Sequence, residues 1–262
     1  MRPASFDGLA GDLRALGIRA GRHLLVHCSL RRIGPVDGGA ATVMDALREA
    51  IGPDACLVVP AFTPENSGRW AERRKRAEGM TPGEYAALLE AMPGFDRDRT
   101  PAPLMGMLAE EVRKAPGAVR SVHPQTSFAA LGPGAADLVD DHDPDCHLGE
   151  RSPLARLYEA DADILLLGVG FEVCSAFHLA EYRYRDPTPT RTYRCKVMRD
   201  GRPVWREYRD AVVDDSDFGQ IGADLRVGTN AVFYGPVGHG RAYRVSLPRA
   251  VDFAVKRLAD LR

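Results

Sequence analysis

The chain lacks a charge excess of either sign. Among its 262 residues, 35 Lys and Arg face 36 Asp and Glu, giving a formal net charge of -1. That balance argues against a nucleic-acid binder, which needs a basic face. No apolar run approaches the roughly 20 residues of a membrane-spanning helix. The opening stretch MRPASFDGLAGDLRALG has no apolar core of the signal-peptide kind. The five cysteines, Cys28, Cys56, Cys146, Cys174 and Cys195, form no CxxC pair. The expectation is a cytoplasmic protein with reduced thiols, no membrane contact and no bound metal. Repeats, low-complexity tracts and linkers are missing too. With 45% hydrophobic and 27% charged residues, the composition is that of a globular protein, and one domain over 1–262 is expected.

What is present alternates between strands and helices. Phe6, Leu9, Leu13 and Leu16 recur at helical spacing after Ser5, a residue suited to an N-cap. RHLLVHCSL (22–30) reads as a buried strand, RRIGPVDGG as a loop, 40–51 as a helix and ACLVVPAF (55–62) as a second strand. Strand, loop, helix, strand is a βαβ unit, so part of the sheet is expected to be parallel. The polar stretch 64–103 reads as a surface insertion with one short helix over 83–91; its RRKR run suits a solvated helix face. Residues 104–114 are helical by period. Ser152-Pro153 marks a helix start that leads to the strand DILLLGVG. Tyr193 to Tyr208 reads as a hairpin around Asp200-Gly201. LPRAVDFAVKRLADL closes as an amphipathic helix. The fold class is α/β: a three-layer α/β/α arrangement with a central mixed, partly parallel sheet and a helical surface insertion.

In such sheets ligands collect beyond the carboxyl ends of the strands. Two loops have that form, VHCSLRRIGPVDGG and GVGFEVCSAFHLAEY. In the second, Ser175 is placed to cap a helix with His178 in its first turn and Glu181 on the same face. A helix start disfavours positive charge nearby, whereas a carboxylate favours it and orients the ring. An oriented imidazole suits general-base work. The same spacing also occurs in ordinary ion pairs.

The segments LLVHCSLRRIG, VMDALREAIGPDACLVVPAFT, GAVRSVHPQTSFAALGP, SPLARLYE and LLLGVGFEVCSAFHLAEY stand in an order and spacing that resemble the aminoglycoside 3-N-acetyltransferase family. The resemblance covers most of the chain. It implies direct acetyl transfer from acetyl-CoA, as co-substrate, to an amine of an aminoglycoside antibiotic. His178 and Glu181 are similar in position to the family's catalytic pair, with Asp214 beside the substrate amine. His27, Cys28, Ser29 and Leu30 look like the family's acetyl-CoA loop, HSSL, with Cys28 replacing the first Ser. Arg31, Arg120, Ser121 and Val122 extend the expected cofactor contacts, and Arg32 is a further cation for its phosphates. Amides of the 27–31 loop are expected to serve a developing oxyanion.

A polycationic substrate calls for an acidic cleft. Asp143, Asp145 and His147 of the loop DDHDPDCHLGE, with Glu172 and Asp215, are the expected substrate contacts; the loop also reads as a solvated turn. Four alternatives stay open: an acetyltransferase for a non-antibiotic biosynthetic amine, a metallohydrolase drawing on DDHDPDCH, a thiol hydrolase using Cys28 or Cys174, and a non-catalytic amine-binding protein built on the same scaffold. The partner is a small-molecule amine, and the chain is expected to be a monomer or homodimer.

Overall fold

A computed structural model describes residues 2–262. The strands in chain order are β1 (Leu24–Cys28), β2 (Leu57–Pro60), β3 (Val119–Arg120), β4 (Phe128–Leu131), β5 (Asp163–Leu167), β6 (Thr190–Arg199), β7 (Arg202–Ala211), β8 (Phe233–Val237) and β9 (Gly240–Ser246). Seven of them form one sheet in the order β3-β4-β2-β1-β5-β9-β8. β1 runs parallel to β2 and to β5, while β4 and β9 flank this centre antiparallel. The sheet is therefore mixed and partly parallel, as the βαβ reading requires.

Alternation along the central strands explains their unbroken apolar sequences. Leu25, Val58, Ile164 and Leu166 enter the core on one face, beneath the helices Pro153–Glu159 and Leu247–Leu261. Leu24, Val26, Leu57, Val59 and Leu165 enter the core on the other, beneath the helices Phe6–Ala15, Gly39–Ile51 and Met107–Lys114. A strand covered on both faces has no reason to alternate with polar residues. Three layers result.

Local signals set several boundaries. Ser5 Oγ accepts from the Gly8 amide, and Ser152 Oγ from the Leu154 amide with Pro153 opening that helix. Asp200 and Gly201 both have positive φ, 51° and 73°, as a two-residue hairpin turn between twisted strands demands. The insertion departs from expectation. It holds two helices, Gly68–Glu78 and Pro82–Ala91, because Ser67 caps the first through the Trp70 amide and a Thr81–Glu84 capping box starts the second. It is also less superficial than expected, with Ala71, Met92, Phe95 and Ala102 buried. Bridges from Ser67 to Cys195 and from Phe95 to Val197 fasten it to β6.

Candidate active site

The three parallel strands β1, β2 and β5 end on one edge of the sheet, and a cavity of about 420 Å³ opens there. His27 and Cys28 reach it from the end of β1, Pro60 from β2, and Val169 from the turn after β5. Glycine makes that turn feasible. Gly168 has φ +71°, and a Cβ on it would sit 2.9 Å from the Ser29 carbonyl oxygen. The loops after β1 and β5 approach this closely only because Gly168 has no side chain.

His178 faces the cavity from the short helix Phe177–Glu181. Its Nδ1 lies 2.5 Å from Oε2 of Glu181, whose side chain is 1% exposed. The carboxylate accepts, so Nδ1 carries a proton, and in the neutral ring the lone pair is then on Nε2. No protein partner occupies that Nε2 among the described residues. Glu181 Oε1 accepts from the Asp214 amide at 2.8 Å and from Arg262 Nη1 at 2.6 Å. The Phe218 ring packs 4.7 Å from the imidazole.

Ser175 does not cap this helix. Ala176 precedes it without a side-chain cap, and the Ser175 hydroxyl turns to His27 Nε2 at 3.2 Å. A buried imidazole needs a partner more than a five-residue helix needs a cap. Burial, then the nearness of His178, lowers the His27 pKa to about 4. Burial likewise pushes the Cys28 and Cys174 thiols up to about 12. A thiol hydrolase would need a thiolate, which burial disfavours at both cysteines. No three His, Cys, Asp or Glu side chains converge as metal ligands among the described residues.

The other expected contacts divide sharply. Glu172 and Asp215 line the same cavity as His178, and neither has an ion-pair partner among the described residues. Asp214 is exposed; it meets Glu181 through its amide, while its carboxylate accepts from the Ser216 amide at 3.0 Å, which holds its pKa below the usual value. Ser29 precedes and Leu30 opens the short helix that follows the cavity residue Cys28, and Arg31 and Arg32 are exposed on it.

Arg120, Ser121 and Val122 lie away from this cavity. Arg120 is 5% exposed; its guanidinium binds Ser127 Oγ and the carbonyls of Ala61, Arg97 and Thr100. Every N–H so used is unavailable to a phosphate. Ser121 is fully buried, with its hydroxyl on His142 Nδ1 at 2.9 Å. Val122 lines a separate groove with Phe95 and Arg97.

Asp143, Asp145 and His147 of the acidic loop are likewise engaged in contacts of their own and do not line this cavity. Asp143 pairs with Arg151 at 2.5 Å and Asp145 with Arg206 at 2.6 Å. Their neighbours Asp140, Asp141 and Glu150 pair with Arg97, Arg156 and Arg183. His147 is 3% exposed and packs with His123, Tyr193 and Tyr208. This loop is a neutralised structural element. Thr126, within the segment GAVRSVHPQTSFAALGP, lines the cavity, as do Val213 and Phe218, which lie outside the segments that carry the resemblance; Arg262, too, comes from a distant part of the chain.

Residues 25–259 match the family model described as aminoglycoside 3-N-acetyltransferase. The chain is 39% identical over 214 residues to aminoglycoside N(3)-acetyltransferase VIII of Streptomyces fradiae, covering 79% of this chain and 71% of that one. It is 34% identical over 257 residues to the aminoglycoside N(3')-acetyltransferase-like protein YokD of Bacillus subtilis, covering 97% and 92%. The YokD crystal structure superposes with a TM-score of 0.91 over 99% of this chain and 95% of that one, at 32% identity. The binary complex of AAC-IIIb with CoASH superposes at 0.85 over 99% and 98%, at 27% identity. By sequence and by fold, the chain belongs to the aminoglycoside 3-N-acetyltransferase family.

Proposed function

We propose that this protein transfers the acetyl group of acetyl-CoA directly to the 3-amino group of an aminoglycoside, with His178 as general base and Glu181 orienting it. The observation that carries this reading is the 2.5 Å contact between His178 Nδ1 and Glu181, which aims an unpaired Nε2 from a cavity wall at the carboxyl edge of parallel strands. Amines of this class are largely protonated at neutral pH, so a base and nearby carboxylates are needed.

The cavity suits the donor. Leu104, Met105 and Leu108 give the cavity apolar lining, while Glu172 and Asp215 add two carboxylates to it. The apolar lining accepts a pantetheine arm; the carboxylates accept an ammonium. Acetyl-CoA, when bound, supplies an activated thioester carbonyl. His178 takes the amine proton at Nε2 as the nitrogen–acetyl bond forms, and returns a proton to the departing sulfur. The amides of Leu30 and Arg31 have no hydrogen-bond partner among the described residues; they are the donors the loop offers to a developing oxyanion. Arg31 and Arg32 are the cations left for the donor's phosphates.

A second reading, an amine outside the antibiotic class, is favoured by one observation. With Asp143 and Asp145 paired to arginines, Glu172 and Asp215 are the cavity's unpaired carboxylates. That suits an acceptor with fewer positive charges. Acetyl-CoA turnover across aminoglycosides and simpler amines, with NMR mapping of the product, tests both. Acetylation at the 3-amino group supports the first reading, and turnover confined to simple amines supports the second. No turnover with any amine would overturn both.

A further inference from the structure

We propose that Arg262 is a positioning residue for the catalytic pair, fixing Glu181 so that its Oε2 stays on His178 and setting the pH range in which the pair works. The proposal rests on the general-base reading above.

Four hydrogen bonds place this guanidinium. Nη1 donates to Glu181 Oε1 at 2.6 Å. Nε and Nη2 grip both oxygens of Asp217 at 2.8 and 2.7 Å, and Nη2 also donates to the Asp214 carbonyl at 2.5 Å. The side chain is only 18% exposed. A forked, planar cation on two carboxylates and a carbonyl has little freedom to turn.

The arrangement solves a specific problem. A buried carboxylate with only one partner could rotate or present either oxygen to the imidazole. With Oε1 held by Arg262 and the Asp214 amide, Oε2 alone remains for Nδ1. The same guanidinium ties the 214–217 segment, which carries the cavity residue Asp215, to the helix that carries His178. One side chain thus links the base, its orienting carboxylate and one substrate-facing carboxylate.

Its charge matters as well as its shape. The groups around the pair are Arg262, Asp214, Asp215 and Asp217 from the closing segments, His27 from β1, Glu172 from the turn after β5, and His147 from the acidic loop. Arg262 is the fixed cation in direct contact with Glu181. Removing it leaves the Asp214 amide on Oε1 but takes away the cation that offsets the carboxylate, which favours imidazolium and inactivates the base to a higher pH.

The test is a comparison of Arg262→Gln and Arg262→Lys, each alone and in a His178→Ala background. Activity is read as kcat, the KM for acetyl-CoA, and the pH profile of kcat/KM. Arg262→Gln is expected to lower kcat about ten- to a hundredfold, the scale of a displaced catalytic group. Its KM for acetyl-CoA stays unchanged and its acid limb moves to higher pH. Arg262→Lys, which keeps the charge without the fork, lowers kcat but leaves the acid limb in place. In the His178→Ala background Arg262→Gln adds no further loss. A wild-type kcat and pH profile for Arg262→Gln overturns the proposal, as does an undiminished loss in the His178→Ala background. If Arg262→Gln does not fold, Arg262→Lys decides, and a wild-type kcat for it is the contrary result. A silent His178→Ala would instead remove the general-base reading itself; a large loss there with no effect at Arg262 removes only this proposal.

Discussion

The Ser175 hydroxyl lies 3.2 Å from Nε2 of His27 and so joins the turn after β5 to the end of β1, the two loops that frame the cavity. The Ser175 amide also reaches that nitrogen, at 3.4 Å. Replacing Ser175 by Ala leaves His27 with this longer bond alone. The expected cost is about 1–3 kcal/mol, the price of an under-satisfied buried polar group. Urea denaturation of Ser175→Ala checks this, and an unchanged midpoint would show that the hydroxyl is not a structural tie.

The buried imidazoles predict acid sensitivity. Burial lowers the pKa of His142 to about 4, of His147 to about 3, and of His123 well below its ordinary value; His27 is lowered to about 4. In each case the unfolded chain binds the proton more readily, so stability is fully present above about pH 6.5 and is lost as pH falls toward the folded values. The slope is about 1.4 kcal/mol per imidazole for each pH unit in that window. Asp210, whose pKa burial raises, acts in the opposite sense, but it is one group against four. Denaturation midpoints at pH 7.5, 6, 5 and 4.5 should fall steadily. A flat profile contradicts the neutral, buried cluster.

By resemblance to the family's HSSL loop, Cys28 takes the place of the first serine. With its thiol pushed up to about 12 by burial, it serves neither as nucleophile nor as a charged contact. Cys28→Ser and Cys28→Ala are expected to keep kcat within about threefold, the scale of a small packing change of under 1 kcal/mol. Loss of activity in both, with the fold intact by circular dichroism, would return the thiol to the mechanism.

Arg120 offers a test of a corrected assignment. Arg120→Met removes the donor that satisfies Ser127 and three backbone carbonyls, so stability should drop by more than about 2 kcal/mol. The KM for acetyl-CoA should not change in the folded fraction. A large rise in that KM with normal stability would make Arg120 a donor contact after all.

Local features were legible in the sequence. The unbroken apolar runs of β1 and β5 signalled strands covered on both faces, and Asp200-Gly201 and Ser152-Pro153 stated their turn and helix start in two residues each. His178 and Glu181 could be paired because three residues on a helix bring them together. Contacts set by tertiary placement were not legible. Arg120 and Ser121 sit in the segment GAVRSVHPQTSFAALGP, yet both are buried. The acidic loop read as anionic because four of its neutralising arginines, Arg97, Arg156, Arg183 and Arg206, come from other segments. Arg262 reaches Glu181 across 81 residues, a distance no local pattern encodes.

The most direct test of the account is kcat of His178→Ala at saturating acetyl-CoA and amine, alongside its affinity for CoA. The account predicts a loss of about two orders of magnitude or more, as removal of a general base produces, with CoA affinity unchanged. A kcat equal to that of the unaltered enzyme would contradict it.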